Sequence, residues 1–244
     1  MKLFGLIGYP LTHSFSKKYF TDKFSNEHID DCVYENFPLL KVEDFSDLIT
    51  SHPKLAGLNV TIPYKESIIQ NVHELDPVAK EIAAVNTIKF AGGILKGYNT
   101  DVYGFMQSFA KELGDGHKQA LILGTGGSSK AVAYSLKKLG IFYKYVSRDA
   151  EKNDVITYED ITPALMNESK IIINTTPLGM FPHIGSCPMI PYERLTASHF
   201  LFDLIYNPEE TLFLKKGREA HAKTKNGLEM LKLQAEKSWE IWNG

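Results

Sequence analysis

The stretch Leu121-Ile-Leu-Gly124-Thr125-Gly126-Gly127-Ser128-Ser129-Lys130-Ala131 runs from an apolar segment into a glycine-rich turn and then into a helical pattern. Glycine lets the backbone turn tightly and approach a pyrophosphate, whose charge is met by the unpaired N–H groups of a helix N-terminus. The pattern predicts a strand over 120–123 and a helix over 128–139, with Gly124, Thr125, Gly126, Gly127 and Ser128 as the cradle. The third glycine of a GxGxxG fingerprint is Ser129 here, and a plain glycine-rich turn fits the same letters. Past the next strand, 143–146, stands Ser147-Arg148-Asp149. A hydroxyl and a guanidinium there suit a ribose 2′-phosphate and favour NADP over NAD; Asp149 weighs the other way, and a solvated surface arginine is the alternative reading.

Outward from this turn, short apolar runs alternate with helical patterns to both ends of the chain, the signature of an α/β protein with parallel strands and crossover helices. Strands are predicted at 3–7, 32–36, 56–60 and 87–90, with helices near 16–26, 42–49 and 74–84 between them. A helix over 102–113 leads into the second series, which continues with strands at 170–174 and 200–204 and a helix over 208–220 opened by Pro208-Glu209-Glu210. Leu228, Leu231, Ala235, Trp239 and Trp242 recur at helical spacing, so 228–242 reads as one helix with an apolar stripe. At 244 residues the chain suits one large or two modest domains.

Composition narrows the function classes. With 27 Lys and Arg against 29 Asp and Glu, the net charge is −2 and no basic stripe marks a nucleic-acid partner. Cys32 and Cys187 stand apart without CxxC or Cys/His spacing, so neither a disulfide framework nor a metal site is expected, and a reducing cytoplasm fits. The apolar stretch 3–11 is broken by Gly5, Gly8 and Pro10 and reads as a strand rather than a leader. No run of about 18 apolar residues exists to span a membrane.

Four polar segments stand out in the first half, the first two of them after strands. Gly8-Tyr-Pro-Leu-Thr-His13-Ser14-Phe-Ser16 sets two hydroxyls two residues apart, able to cap the next helix or to hold an anionic group near its positive end. Asn59-Val-Thr61-Ile-Pro63-Tyr-Lys65 places a lysine just past a strand, where an ammonium can donate a proton or face a developing oxyanion, or simply be solvated. Ala84-Val-Asn86-Thr87 and Asn99-Thr-Asp101 add an amide and a carboxylate able to pair with Lys65.

These segments, with Asn174-Thr-Thr-Pro177-Leu-Gly179-Met180, Asp203-Leu-Ile-Tyr206-Asn-Pro208 and Gly227-Leu-Glu-Met230-Leu-Lys-Leu-Gln234-Ala235, together resemble the shikimate dehydrogenase family, in its order and over nearly the whole chain. The resemblance implies two domains: a substrate domain with a mostly parallel sheet, 1–101 plus 226–244, and a Rossmann-like NADP-binding domain, 102–225, with the C-terminal helix returning to the first. It implies NADPH-dependent reduction of 3-dehydroshikimate to shikimate, by a monomer or homodimer. Lys65 is then catalytic with Asp101 as partner. Ser14, Ser16 and Tyr206 hold the substrate carboxylate, and Thr61, Asn86 and Gln234 its ring oxygens together with Asp101. Gly124 to Ser128 take the pyrophosphate, Ser147 and Arg148 the ribose phosphate, and Thr175, Leu204, Gly227 and Met230 surround the nicotinamide. Two rivals of the same fold are a quinate/shikimate dehydrogenase with relaxed NAD/NADP use and a non-catalytic dinucleotide sensor, against which Lys65, Asp101 and Gln234 argue.

Overall fold

The computed structural model describes residues 1–11, 15–149 and 155–244. The chain divides into two compact units, Met1–Thr100 with Ala235–Gly244, and Asp101–Gln234.

The first unit is built on strands β1 (Lys2–Gly8), β2 (Cys32–Pro38), β3 (Leu55–Val60), β4 (Glu74–Leu75), β5 (Thr87–Ala91) and β6 (Ile94–Tyr98), in the order β2-β1-β3-β5-β6-β4. Pairs β1/β2, β1/β3 and β4/β6 are parallel, and β3/β5 and β5/β6 antiparallel. Helices α1 (Phe15–Asn26), α2 (Phe45–Ser51) and α3 (Pro77–Ile82) connect them. Two elements differ from the sequence expectation. The helix placed over 74–84 starts only at Pro77, because the Asp76 carboxylate accepts from Ala79 N at 2.8 Å and caps it, while Glu74 and Leu75 join the sheet beside β6. Strand β6, absent from the sequence reading, pairs with β5 through Gly92-Gly93, both at positive φ (59° and 79°), as a tight hairpin turn requires.

The second unit carries β7 (Gln119–Leu123), β8 (Phe142–Val146), β9 (Val155–Ile156), β10 (Ile171–Asn174), β11 (Phe200–Asp203) and β12 (Lys223–Lys225), all parallel, in the order β12-β11-β10-β7-β8-β9. Every residue of β10 and β11 is buried, as expected of strands covered on both faces. Helices α4 (Asp101–Phe109), α5 (Gly127–Lys138), α6 (Pro163–Glu168) and α7 (Leu212–Glu219) belong to this unit. Helix α7 is opened by the Thr211 hydroxyl, which accepts from Leu214 N, and not by Pro208-Glu209-Glu210; Glu210 instead pairs with Arg218. The strand order reverses between β7 and β10, the switch point where open α/β sheets bind ligands.

The final helix, α8 (Leu228–Asn243), contributes its last residues to the first unit. Trp242 stacks on Phe4 at 4.8 Å, Trp239 meets Phe4 edge-on at 5.4 Å, and the Trp242 indole N–H donates to Ile88 O at 3.0 Å. Gly57 makes room for that indole, since a Cβ there would lie 2.2 Å from Trp242 Nε1. Gly57→Ala is therefore expected to destabilise the protein by roughly 1–3 kcal/mol through overpacking, read as a lower denaturation midpoint with an unchanged slope; a midpoint equal to wild type would show that the indole has slack to move.

Candidate functional site

In the first unit the strand register decides which residues meet. Ile7 lies beside Val60, Asn59 beside Thr87, and Thr87 beside Tyr98, so the segments after β1, β3 and β6 and before β5 emerge at one end of the sheet. Backbone hydrogen bonds tie them: Thr61 N donates to Ile7 O at 2.9 Å, Tyr9 N to Ile62 O at 3.1 Å, Val85 N to Lys65 O at 2.7 Å, and Asn86 N to Tyr98 O at 3.0 Å. Thr61, Lys65 and Asn86 are thereby gathered, Lys65 half-buried on a turn and Asn86 buried. The Asn86 side chain is oriented by Thr100, whose N–H donates to Oδ1 at 2.7 Å while Nδ2 donates to Thr100 Oγ1 at 2.9 Å. Asp101 follows directly as the first residue of α4, buried, at a helix N-terminus that stabilises a carboxylate. Ser14 lies outside the described residues; Ser16 is buried on α1 near the Tyr34 phenol, which burial pushes up in pKa.

In the second unit the same logic aligns the residues that the sequence predicts for the nucleotide. Leu123 is in register with Val146 and with Asn174, and Asn174 with Asp203, so Ser147, Gly124, Thr175 and Leu204 stand side by side, each the first residue past its strand. Gly124 adopts φ +105°, and a Cβ on it would fall 2.8 Å from Thr175 Oγ1; Thr175 itself donates from N and Oγ1 to Leu123 O at 2.9 and 2.7 Å. Gly126 faces open space, with nothing within 4 Å of an added Cβ, and caps a helix of 12 residues. An open backbone turn over the positive end of that helix fits a diphosphate, with Thr125, Gly127 and Ser128 around it. Gly227 presses on Leu204, where a Cβ would lie 2.1 Å from Leu204 O, and Met230 and Gln234 of α8 close against Gly104 on α4. Arg148 is exposed, and Tyr206 is half-buried with its phenol raised in pKa by burial.

Sequence reading missed the support beneath this sheet end. Asp203 is fully buried; its Oδ1 accepts from Asn174 Nδ2 and Ile205 N, both at 3.0 Å, and its Oδ2 from Thr211 Oγ1 at 2.6 Å. Asn174 in turn accepts from Thr176 N at 3.0 Å and Thr176 Oγ1 at 2.7 Å. The signal was present as two polar residues closing the apolar strands β10 and β11, where a buried polar group has to be satisfied.

A parallel sheet with an open glycine-rich turn at its switch point, in a chain that also has an α/β unit collecting an ammonium, an amide and a hydroxyl at one sheet end, is the organisation of a nicotinamide-dependent oxidoreductase. A family model described as the shikimate dehydrogenase substrate binding domain matches residues 6–88. A shikimate dehydrogenase (NADP(+)) from Methanosphaera stadtmanae is 38% identical, over 98% of this chain and 90% of that one. The crystal structure of shikimate dehydrogenase from Aquifex aeolicus superposes with a TM-score of 0.89 at 33% identity, covering 100% of this chain and 93% of that one. That of the Thermus thermophilus enzyme in complex with NADP(H) and shikimate gives 0.87 at 26% identity, covering 100% and 94%. The chain belongs to the shikimate dehydrogenase family.

Burial pushes the Asp203 pKa up to about 7, from an ordinary 3.8, against the pull of its three hydrogen bonds. A raised carboxyl contributes stability that is full below about pH 4 and lost as pH rises through about 7. Asp203→Asn, which cannot ionise, is therefore expected to gain on wild type between pH 4 and pH 8, by up to roughly 4 kcal/mol. Urea unfolding of both proteins across that range measures it, and a pH-independent difference would show that Asp203 titrates at its ordinary value.

Proposed function

We propose that this chain catalyses the NADPH-dependent reduction of 3-dehydroshikimate to shikimate, a step toward chorismate and the aromatic amino acids, in the cytoplasm as a monomer or homodimer. The observation that carries the site assignment is the register of the first sheet, which delivers Thr61, Lys65 and Asn86 to one end and leads the chain directly into Asp101. Ser16, Thr61, Lys65 and Asn86 belong to the first unit, and the residues assigned to NADP, like Asp101, Tyr206 and Gln234, to the second.

Bound NADPH supplies the hydride. Reduction of a ketone leaves charge on oxygen that needs stabilisation and a proton, and the residues of this chain supply both. Lys65, on a turn held by its own carbonyl through Val85 N, presents Nζ as hydrogen-bond donor and proton source for that oxygen. Asp101 serves as its carboxylate partner and, with Thr61, Asn86 and Gln234, binds ring oxygens. Ser14, Ser16 and Tyr206 hold the carboxylate. On the cofactor side, Gly124 to Ser128 hold the diphosphate; Ser147 and Arg148 take the 2′-phosphate; Thr175, Leu204, Gly227 and Met230 wall the nicotinamide. Some use of NAD is favoured by Asp149, which follows Arg148 in sequence and whose N–H donates to Ser147 Oγ at 3.3 Å.

Following NADPH absorbance with shikimate or quinate and either oxidised cofactor tests substrate and cofactor together; the pair shikimate and NADP+ is expected to have the highest kcat/KM. Lys65→Ala is expected to lower kcat by about 10² to 10⁴ with the protein still folded. A kcat within about threefold of wild type removes Lys65 from the role.

A further inference from the structure

The first unit contains a buried chain of polar side chains, of which Tyr34, Asn59, Thr87, Thr100 and Ser238 have no part in the proposed chemistry. The Tyr34 phenol, which lies near Ser16, donates to Asn59 Oδ1 at 2.8 Å. With its oxygen so assigned, the Asn59 amide donates from Nδ2 to Ser238 Oγ at 3.0 Å and Thr87 Oγ1 at 3.2 Å. Ser238 Oγ also lies 2.8 Å from Thr87 Oγ1 and 3.2 Å from Thr100 Oγ1, and Thr100 holds both ends of the Asn86 amide. Every member is buried, Thr87 and Ser238 completely.

Packing alone does not call for such a chain. Apolar side chains of the same shape would fill the space at little cost, whereas each polar group here must find a partner. What hydroxyls and amides add is direction. A backbone N–H can only donate, so Thr100 N fixes which end of the Asn86 side chain is oxygen, and each hydrogen bond along the chain restricts the next. The chain ends on Asn86 and, at Tyr34, next to Ser16, both residues assigned to substrate.

We propose that Tyr34 and Ser238 are positioning residues for the polyhydroxylated ring substrate, setting the Ser16 hydroxyl and the Asn86 amide in the sense the substrate requires. The proposal rests on the assignment of Ser16 and Asn86 to substrate. It gives the C-terminal helix a part in substrate selection through Ser238, one turn beyond Gln234.

Steady-state kinetics of the full chain carrying Tyr34→Phe, Ser238→Ala or Asn86→Ala test it, each with its melting temperature. Tyr34→Phe keeps the ring that stacks on Phe20 at 4.7 Å, and Ser238→Ala keeps the helix, so each deletes one oxygen and little else. The expected result is a shikimate KM raised roughly three- to tenfold in Tyr34→Phe and in Ser238→Ala, with the NADP+ KM and kcat of these two within about twofold of wild type. In an Asn86→Ala background the Ser238→Ala effect on shikimate KM should vanish, because the hydroxyl acts through that amide. A shikimate KM unchanged in both Tyr34→Phe and Ser238→Ala, or raised in step with the NADP+ KM, overturns the proposal whatever the melting temperatures do. If Asn86→Ala also leaves the shikimate KM unchanged, the assignment of Asn86 to substrate fails with it, which separates the two failures.

Discussion

Strand register is the constraint on which both sites depend. Neighbouring parallel strands finish at the same level, so the first residue past each strand becomes a neighbour of the first past the next, however far apart they lie in the chain. In the second sheet this places Ser147, Gly124, Thr175 and Leu204 in a row although they span 81 positions of sequence. In the first sheet the antiparallel β5 enters at the level where β3 leaves, and that reversal brings Asn86 to Thr61 and Lys65. A slip of one residue between β3 and β5 would turn Asn59 and Thr87 to opposite faces and undo the buried hydrogen bonding that joins them.

The elements most visible in sequence were those whose burial pattern is one-dimensional. β10, with Ile171, Ile172 and Ile173 fully buried, and the stripe of α8 declare themselves from periodicity. What escaped was decided by pairing or capping. β4 and β9 are two residues long and exist only because a neighbouring edge accepts them. β6 had a signal in Gly92-Gly93, a two-residue turn between apolar runs. The Asp76-Pro77 start of α3 and the Thr211 cap of α7 were equally legible as helix beginnings. The residues of the candidate site were quoted from motifs; that Thr61 and Asn86 share a sheet end is a property of register, which no local stretch encodes.

Both units keep polar groups inside, and they do so differently. Around Asp203 a single carboxylate joins the end of β10, the backbone after β11 and the cap of α7, so three segments that carry Thr175, Leu204 and Tyr206 depend on one side chain. Burying it opposes its ionisation, which is why its pKa rises in spite of three donors. The chain from Tyr34 to Asn86 contains no ionisable carboxylate or ammonium and is dominated by neutral hydroxyls and amides, so it gives direction without that electrostatic penalty.

Ser129 shows what a fingerprint position demands. The third glycine of the dinucleotide turn is ordinarily explained by close packing of helix on strand. Here a serine occupies it, buried to 1% exposure, with its hydroxyl donating to Gly126 O at 2.6 Å and its own N–H reaching the same carbonyl at 3.0 Å. The extra atoms are few and the one polar atom is satisfied within the turn, so the side chain tightens the loop it would otherwise strain, while Gly126 keeps its other side open to a diphosphate. The requirement at that position is a small, internally satisfied side chain, and glycine is one way of meeting it.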